Sequence, residues 1–294
     1  MSTFTRALWH VNRTQLGWAV KAGVSTWHMR SKLERRRIAQ SLPVTSDQRQ
    51  KAADLDRDGY AIVTDLMNET LAGDMAVAAQ QRLDDIERLA GQQASSHKKF
   101  WVRLLDSEMK DGKLAADSIF VRYALQPAVI NMLSATLGEV PWLDYVLLSH
   151  SRHAEGDLGF SQLWHRDHDN KRVIKLFTYL TDVLDDGDGP FTFLPKQPSE
   201  AFGHPIRGSH FPDQRVFAKV AESEIKVVKA PKLAAFMVET TRCLHMGSRM
   251  KPGHGRLLYT ATYYAFPPVF PNGWRRPFYP ASETTPLEKM VMGL

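Results

Sequence analysis

The segment Leu163-Trp-His-Arg-Asp-His-Asp-Asn170 holds the residues with the most chemistry to offer. In an extended chain, residues i and i+2 point to the same side, so His165 and Asp167 can aim an imidazole nitrogen and a carboxylate oxygen at one point. These are two ligands of a facial two-histidine, one-carboxylate site, a geometry that suits Fe(II) and leaves three positions open for an oxidant and a co-substrate. The third ligand has to come from elsewhere. His245, in Cys243-Leu-His-Met-Gly-Ser-Arg249, supplies it from a turn between two strands. A His-x-Asp pair alone is weak in a chain with 11 histidines, and its bland reading is a surface strand end. It gains weight from the residues placed at set distances beyond each ligand.

Arg256 comes after His245, at the head of an apolar strand. A guanidinium pointing into a barrel is costly unless an anion meets it. The distal carboxylate of 2-oxoglutarate suits the planar fork, which can bind it through two parallel hydrogen bonds. Lys175 interrupts Val173-Ile-Lys-Leu-Phe-Thr-Tyr-Leu180, an otherwise apolar strand. It either faces solvent or meets a buried acid, and the anion expected nearby makes it a second candidate for binding the co-substrate. His168 and Asp169 offer an alternative register for the ligands, although a polar turn at the pocket rim explains them as well. Trp164 either walls the site or belongs to the core. Cys243 reads as packing. His150 and His153 would face opposite sides, and His210 and His254, in expected loops, receive no role.

The elements that must position these residues can be read from pattern. Asp56-Arg-Asp-Gly-Tyr60 is a turn leading into a strand at 60–64. Residues 68–90 show helical spacing of Ala and Leu, and 127–137 form a helix with Pro near its first turn and Gly138 past its end. From residue 140 the texture becomes strand and turn, with strands expected at 143–151, 173–181, 191–194, 225–229, 234–238 and 256–266. Helices first and many short strands after suggest helices packed outside a β-sandwich or barrel. The run Phe266-Pro-Pro-Val-Phe-Pro-Asn-Gly-Trp274 reads as a surface loop or lid-like tail.

Bulk properties narrow the class. The single cysteine among 294 residues excludes a disulfide framework and any Cys-rich zinc or iron–sulfur site, and fits a reducing, cytoplasmic setting. No uncharged apolar stretch reaches the ~20 residues that cross a bilayer. Of the net +6, residues 1–40 hold eight Lys/Arg against Glu34, a net +7, so the remainder of the chain sums to −1. Residues 1–45 therefore read as a basic arm bearing Trp9, Trp18 and Trp27, ahead of one domain over 46–294. The arm is either a helix that packs its tryptophans on the body, a surface that touches an anionic membrane or polyanion, or an organelle transit segment. Nothing in the body offers a matching basic face, so nucleic acid is not an expected partner.

Taken in order, Asp58-Gly-Tyr-Ala-Ile-Val63, Trp164-His-Arg-Asp167, Leu176-Phe-Thr-Tyr-Leu-Thr-Asp-Val183, Gly189-Pro-Phe-Thr-Phe-Leu-Pro195, His245-Met-Gly-Ser-Arg249 and Arg256 resemble the phytanoyl-CoA dioxygenase family of Fe(II)/2-oxoglutarate oxygenases. The resemblance spans about residues 55–266. It implies an α+β fold with a mainly β core, a double-stranded β-helix (jelly-roll, cupin-like) with flanking helices. It also implies His165, Asp167 and His245 as iron ligands, Arg256 on the 2-oxoglutarate carboxylate, Lys175 as a second contact to that co-substrate, and O2 as the other. Where the family reads Pro-Gly-Ser-His after its Gly-Pro strand, this chain reads Pro195-Lys-Gln-Pro-Ser199. The substrate, small-molecule or lipid-like, therefore does not carry over from relatives. The competing readings are a cupin-like metal enzyme that does not use 2-oxoglutarate and a non-catalytic membrane- or polyanion-binding protein.

Overall fold

The computed structural model describes residue 11 and residues 17–88, 100–167, 170–203, 210–269 and 278–294. Two helices, α1 (Gly17–Trp27) and α2 (Met29–Ser41), precede α3 (Ser46–Asp58). The sequence reading has no helix at α3. Its start is set by a capping box in which the Thr45 hydroxyl accepts from the Gln48 backbone while the Gln48 side chain accepts from the Thr45 backbone. Gly59 ends it at φ +82°, and a side chain there would collide with the Cys243 sulfur. The chain then turns into β1 (Tyr60–Ile62) and α4 (Glu69–Arg88). After β2 (Trp101–Arg103) and β3 (Leu114–Ala115) come α5 (Ile119–Ala124) and α6 (Pro127–Leu137), the latter opened by Pro127 and closed by left-handed Gly138, as its sequence requires.

The second half is strand-rich. It runs through β4 (Trp142–Arg152), β5 (Trp164–His165), β6 (Val173–Tyr179), β7 (Phe191–Phe193), α7 (Lys196–Glu200), β8 (His210–Phe211) and α8 (Asp213–Phe217). It continues with β9 (Lys226–Val228), β10 (Ala235–Glu239), β11 (His245–Met246), β12 (Gly255–Tyr264), β13 (Phe278–Tyr279) and α9 (Pro286–Met292). The six strands expected from pattern after residue 140 are all present, with ends shifted by one or two residues. The two-residue strands β5 and β11 carry no periodic signal of their own, and the sequence reading places them only as extended or turn segments.

Six strands form one antiparallel sheet in the order β1-β10-β6-β12-β4-β2, and five form a second in the order β8-β5-β11-β7-β9. The core is a double-stranded β-helix with helices packed on the larger sheet, the α+β architecture the sequence implies. Alternation along β12 separates two environments. Leu257, Tyr259, Ala261 and Tyr263 turn outward into the main hydrophobic core beneath the helices. There the Tyr259 and Tyr263 hydroxyls donate to the carbonyls of Phe120 and Ala124 at 2.6 and 2.7 Å. The intervening residues turn inward and line a cavity between the sheets.

The basic arm meets the body through an arginine. Arg35 is buried, donates to the carbonyls of Val140 and Pro141 at 3.0 Å each and to that of Met290, and lies 4.3 Å over the Phe266 ring. Burial pushes its pKa down to about 10, against the pull of Glu139. Lys32 pairs with buried Glu139 at 3.2 Å beside it. Trp18 and Trp27, by contrast, are 70% and 87% exposed, so of the three readings of the arm, the one that packs its tryptophans on the body does not hold for these two. Trp9 lies outside the described residues, as do 270–274 of the expected C-terminal loop. Arg35→Ala should lower stability to urea by about 2–4 kcal/mol, because it strands three carbonyls and removes a stacked cation. Arg35→Lys should recover less than half of that, since one ammonium cannot fork to three acceptors. A midpoint unchanged in both variants would remove Arg35 as the clamp.

Candidate metal centre

β5 and β11 are adjacent in the smaller sheet, with His165 and His245 directly opposite each other in register. Their rings lie 4.2 Å apart, centroid to centroid. Each Nδ1 is 2.9–3.0 Å from a backbone carbonyl two residues earlier, Leu163 for His165 and Cys243 for His245. A carbonyl only accepts, so both Nδ1 atoms carry the proton and both Nε2 lone pairs are left for a metal. Burial pushes both imidazoles down, His245 to about 4 and His165 well below its usual range, so both are neutral at physiological pH. Sequence reasoning cannot supply these backbone acceptors; they depend on where the strands start.

Asp167 lies just past β5, its backbone amide bonded to the Thr240 carbonyl at 3.0 Å. One ligand atom each from His165, Asp167 and His245 falls within 4.8 Å of the others. Burial alone would raise the Asp167 pKa, but Lys175, whose Nζ is 2.7 Å from Oδ2, together with the two imidazoles holds it far below the usual carboxylate range. Of the two options read for Lys175, solvent or a buried acid, the structure comes near the second: Lys175 meets a partly buried acid, and that acid is the expected metal ligand itself. Two neutral imidazoles and one carboxylate make a donor set suited to a divalent first-row metal.

The larger sheet supplies the facing wall. Arg256 is buried, donates to the Gly189 carbonyl and, at 3.0 Å, to the Ser248 hydroxyl, and stands 5.8 Å from the Tyr179 ring. Its Nε has no hydrogen-bond partner, and no carboxylate pairs with it among the described residues. A wholly buried cation with donor capacity left over is the signature of a site built for an anion. Burial pushes its pKa below the ordinary value, partly offset by Tyr179. His165, Asp167, His245, Lys175 and Arg256 all line one cavity of about 240 Å³. Its remaining wall is mixed: Leu258, Phe177 and Phe191 are apolar, while Thr260, Thr262 and Tyr264 bring hydroxyls.

The structure places the weaker sequence candidates as well. Trp164 belongs to a separate core cluster behind the smaller sheet, with its Nε1 donating to Asp213 at 2.9 Å, so it is core and not cavity wall. His168 and Asp169 lie outside the described residues. Cys243 is buried against the Gly59 carbonyl and its thiol is pushed up to about 12 by burial, which suits packing. His210 stacks on His165 with centroids 5.4 Å apart, a position its loop-like sequence gives no hint of. Trp101, from a strand the sequence reading lacks, lines the cavity. His254 joins Asp185 and Asp188 in a second cluster of potential ligands. There the Asp188 oxygens already accept from Leu184, Asp185 and His254, which makes the cluster a turn staple.

No family model matches the chain, and no curated protein matches it. The phytanoyl-CoA dioxygenase resemblance therefore rests on the chain's own motifs. Among solved structures, the chain is similar to EctD from S. alaskensis with bound Fe, at 16% identity and a TM-score of 0.52, over 76% of this chain and 78% of that one. It is similar likewise to EctD from the same organism with 2-oxoglutarate and 5-hydroxyectoine, at 17% identity and a TM-score of 0.53, over 78% of each chain. At such identities the likeness shows the fold: a helix-flanked double-stranded β-helix shared with these enzymes.

Proposed function

We propose that this chain is an Fe(II)- and 2-oxoglutarate-dependent oxygenase that hydroxylates an aliphatic C–H bond of a small-molecule or lipid-like substrate. The observation that carries the proposal is the pairing of two features in one cavity. A His165–Asp167–His245 donor set is held by the smaller sheet and the segment just past β5, and a buried Arg256 without an acid partner among the described residues faces it from the larger sheet. The solved EctD structures, one with Fe and one with 2-oxoglutarate and 5-hydroxyectoine, support the reading by analogy of fold. The order of motifs supports the phytanoyl-CoA dioxygenase family within that superfamily. A cupin-like enzyme that does not use 2-oxoglutarate leaves Arg256 unexplained.

When bound, Fe(II) would let O2 serve as the oxidant, one oxygen atom going to the substrate C–H bond and the other to 2-oxoglutarate, which leaves as succinate and CO2. The rest is done by side chains. His165 and His245 present Nε2 in a fixed tautomer, and Asp167 completes the facial set. That carboxylate occupies the position a halogenase leaves open for halide, which favours hydroxylation. Arg256 receives the distal carboxylate of the co-substrate, and Leu258, Phe177 and Phe191 keep bulk water from the reacting centre. The deciding experiment is anaerobic titration of Fe(II)-loaded protein with 2-oxoglutarate, monitored by visible absorbance. A weak metal-to-ligand charge-transfer band is expected. Iron binding without the band would sink the co-substrate assignment and move the cupin-like reading ahead.

Contact of the arm with an anionic membrane belongs to the same proposal. It is supported by exposed Trp18 and Trp27 in a segment of net +7. Among the described residues no helix is long and apolar enough to cross a membrane, so such contact would be peripheral. Co-sedimentation with vesicles of anionic lipid, but not with vesicles of neutral lipid, is expected, and should weaken when both tryptophans are replaced by Ala. Equal recovery with both vesicle types would sink it.

A further inference from the structure

We infer that Lys175 is a positioning residue that acts on Asp167, tying up one carboxylate oxygen so that the metal receives only the other. The inference rests on the proposed metal centre and concerns what controls its open positions. Lys175 Nζ lies 2.7 Å from Asp167 Oδ2. The lysine is held there by its strand: it sits in the middle of β6, between β10 and β12, opposite Val238 on one side and Thr262 on the other. Its neighbours Ile174 and Leu176 point the other way, into the main core, so the side chain is committed to the cavity by the alternation of the strand. Asp167 is fixed independently by its backbone bond to Thr240.

A carboxylate can give a metal one oxygen or two. Two would fill a coordination position that a co-substrate or O2 needs, and the facial set works only while three positions stay open. An ammonium on Oδ2 prevents that second bond. It also places a positive charge beside a site for a dication, which weakens metal binding. Lys175 thus lowers metal affinity while keeping the site reactive. This differs from the role its strand position implies, a direct contact to the co-substrate, and the two are separable by measurement.

Lys175→Met keeps the length of the side chain and removes the charge and the donors. With Mn(II) and Co(II) as probes, at mildly alkaline pH where carboxylate protonation is negligible, the variant should bind metal at least about tenfold more tightly than wild type. The metal-loaded variant should bind 2-oxoglutarate more weakly, because the freed oxygen now competes for its position. The d–d absorption of Co(II) should fall in intensity as the coordination number rises. Lys175→Arg, which keeps a charged donor, should restore wild-type metal affinity and spectrum. Metal affinity unchanged or lower in Lys175→Met, with 2-oxoglutarate binding weakened, would overturn the inference and return Lys175 to the co-substrate. Should Lys175→Met not fold, Lys175→Gln under the same titrations decides the matter by the same signs. Wild-type protein that binds neither probe metal would overturn the metal centre itself, a result distinct from either.

Discussion

His245→Ala should lose Fe(II) affinity by roughly two to three orders of magnitude, since a structural site worth about 10–16 kcal/mol over four ligands assigns about 2.5–4 kcal/mol to each. The oxygenase turnover proposed above should fall below detection. The loss can be separated from misfolding by thermal unfolding with and without added Mn(II). Wild type should be stabilised by about 2.7 kcal/mol at a hundredfold excess over its dissociation constant, and the variant at the same concentration by no more than about 0.4 kcal/mol. The metal-free proteins should differ in pH dependence as well. Burial holds the folded-state pKa of His245 at about 4, below its ordinary 6.5. A depressed histidine contributes stability that is present above the unfolded value and is lost as pH falls toward the folded one. Wild-type apo-protein should therefore lose stability between about pH 6.5 and 4, and His245→Ala should lose less of it there, with His165 still contributing. A variant that binds Mn(II) as tightly as wild type would remove His245 from the ligand set.

Arg256→Met should separate stability from function in opposite directions. Truncating one partner of a buried, hydrogen-bonded charge pair costs about 2–5 kcal/mol of binding, or roughly thirty- to several-thousand-fold in 2-oxoglutarate affinity. Metal affinity without co-substrate should be unchanged, because the guanidinium of Arg256 is held by the Gly189 carbonyl and the Ser248 hydroxyl, whereas it is Lys175 that pairs with the ligand Asp167. Yet the apo-protein already bears the burden of a buried guanidinium with no acid partner among the described residues. A flexible apolar side chain of similar length should leave its stability equal to wild type or up to about 1 kcal/mol higher. Arg256→Lys keeps the charge but not the fork, and should recover no more than about tenfold of the lost affinity. Unaltered 2-oxoglutarate binding in Arg256→Met, measured by the charge-transfer titration, would sink the assignment of Arg256.

Where side chains repeat with the period of their element, the sequence was readable. Strand β12 and helix α6 announce themselves by apolar pattern and by Pro127 and Gly138, and their ends fall within one or two residues of the reading. Helix α3 was not readable by pattern, because it buries only Gln48, Ala52 and Leu55 and is otherwise polar and charged. Its caps, Thr45 with Gln48 and Gly59, were the available signal. The ligand residues stood out by type and spacing, but what orients them did not. The acceptors for the two imidazoles are main-chain carbonyls, and the partner of Lys175 emerges only when β6 and the chain after β5 are brought together. Trp101 and His210 reach the site through pairings of very short strands, for which no local pattern exists.

The inward and outward faces of β12 answer to different constraints. Outward, Tyr259 and Tyr263 are tied to the carbonyls of α5 beneath them, and any drift there is paid in stability. Inward, beyond Arg256, the positions Leu258, Thr260, Thr262 and Tyr264 descend the cavity as a graded ladder, each about 6.8 Å from the next on its own face. Changes on those rungs leave the helical layer untouched. Leu258, Thr260 and Thr262 can therefore be exchanged to reshape the cavity one strand at a time, whereas Tyr264, whose hydroxyl is 3.0 Å from buried Asp144, cannot change without a second change beneath it.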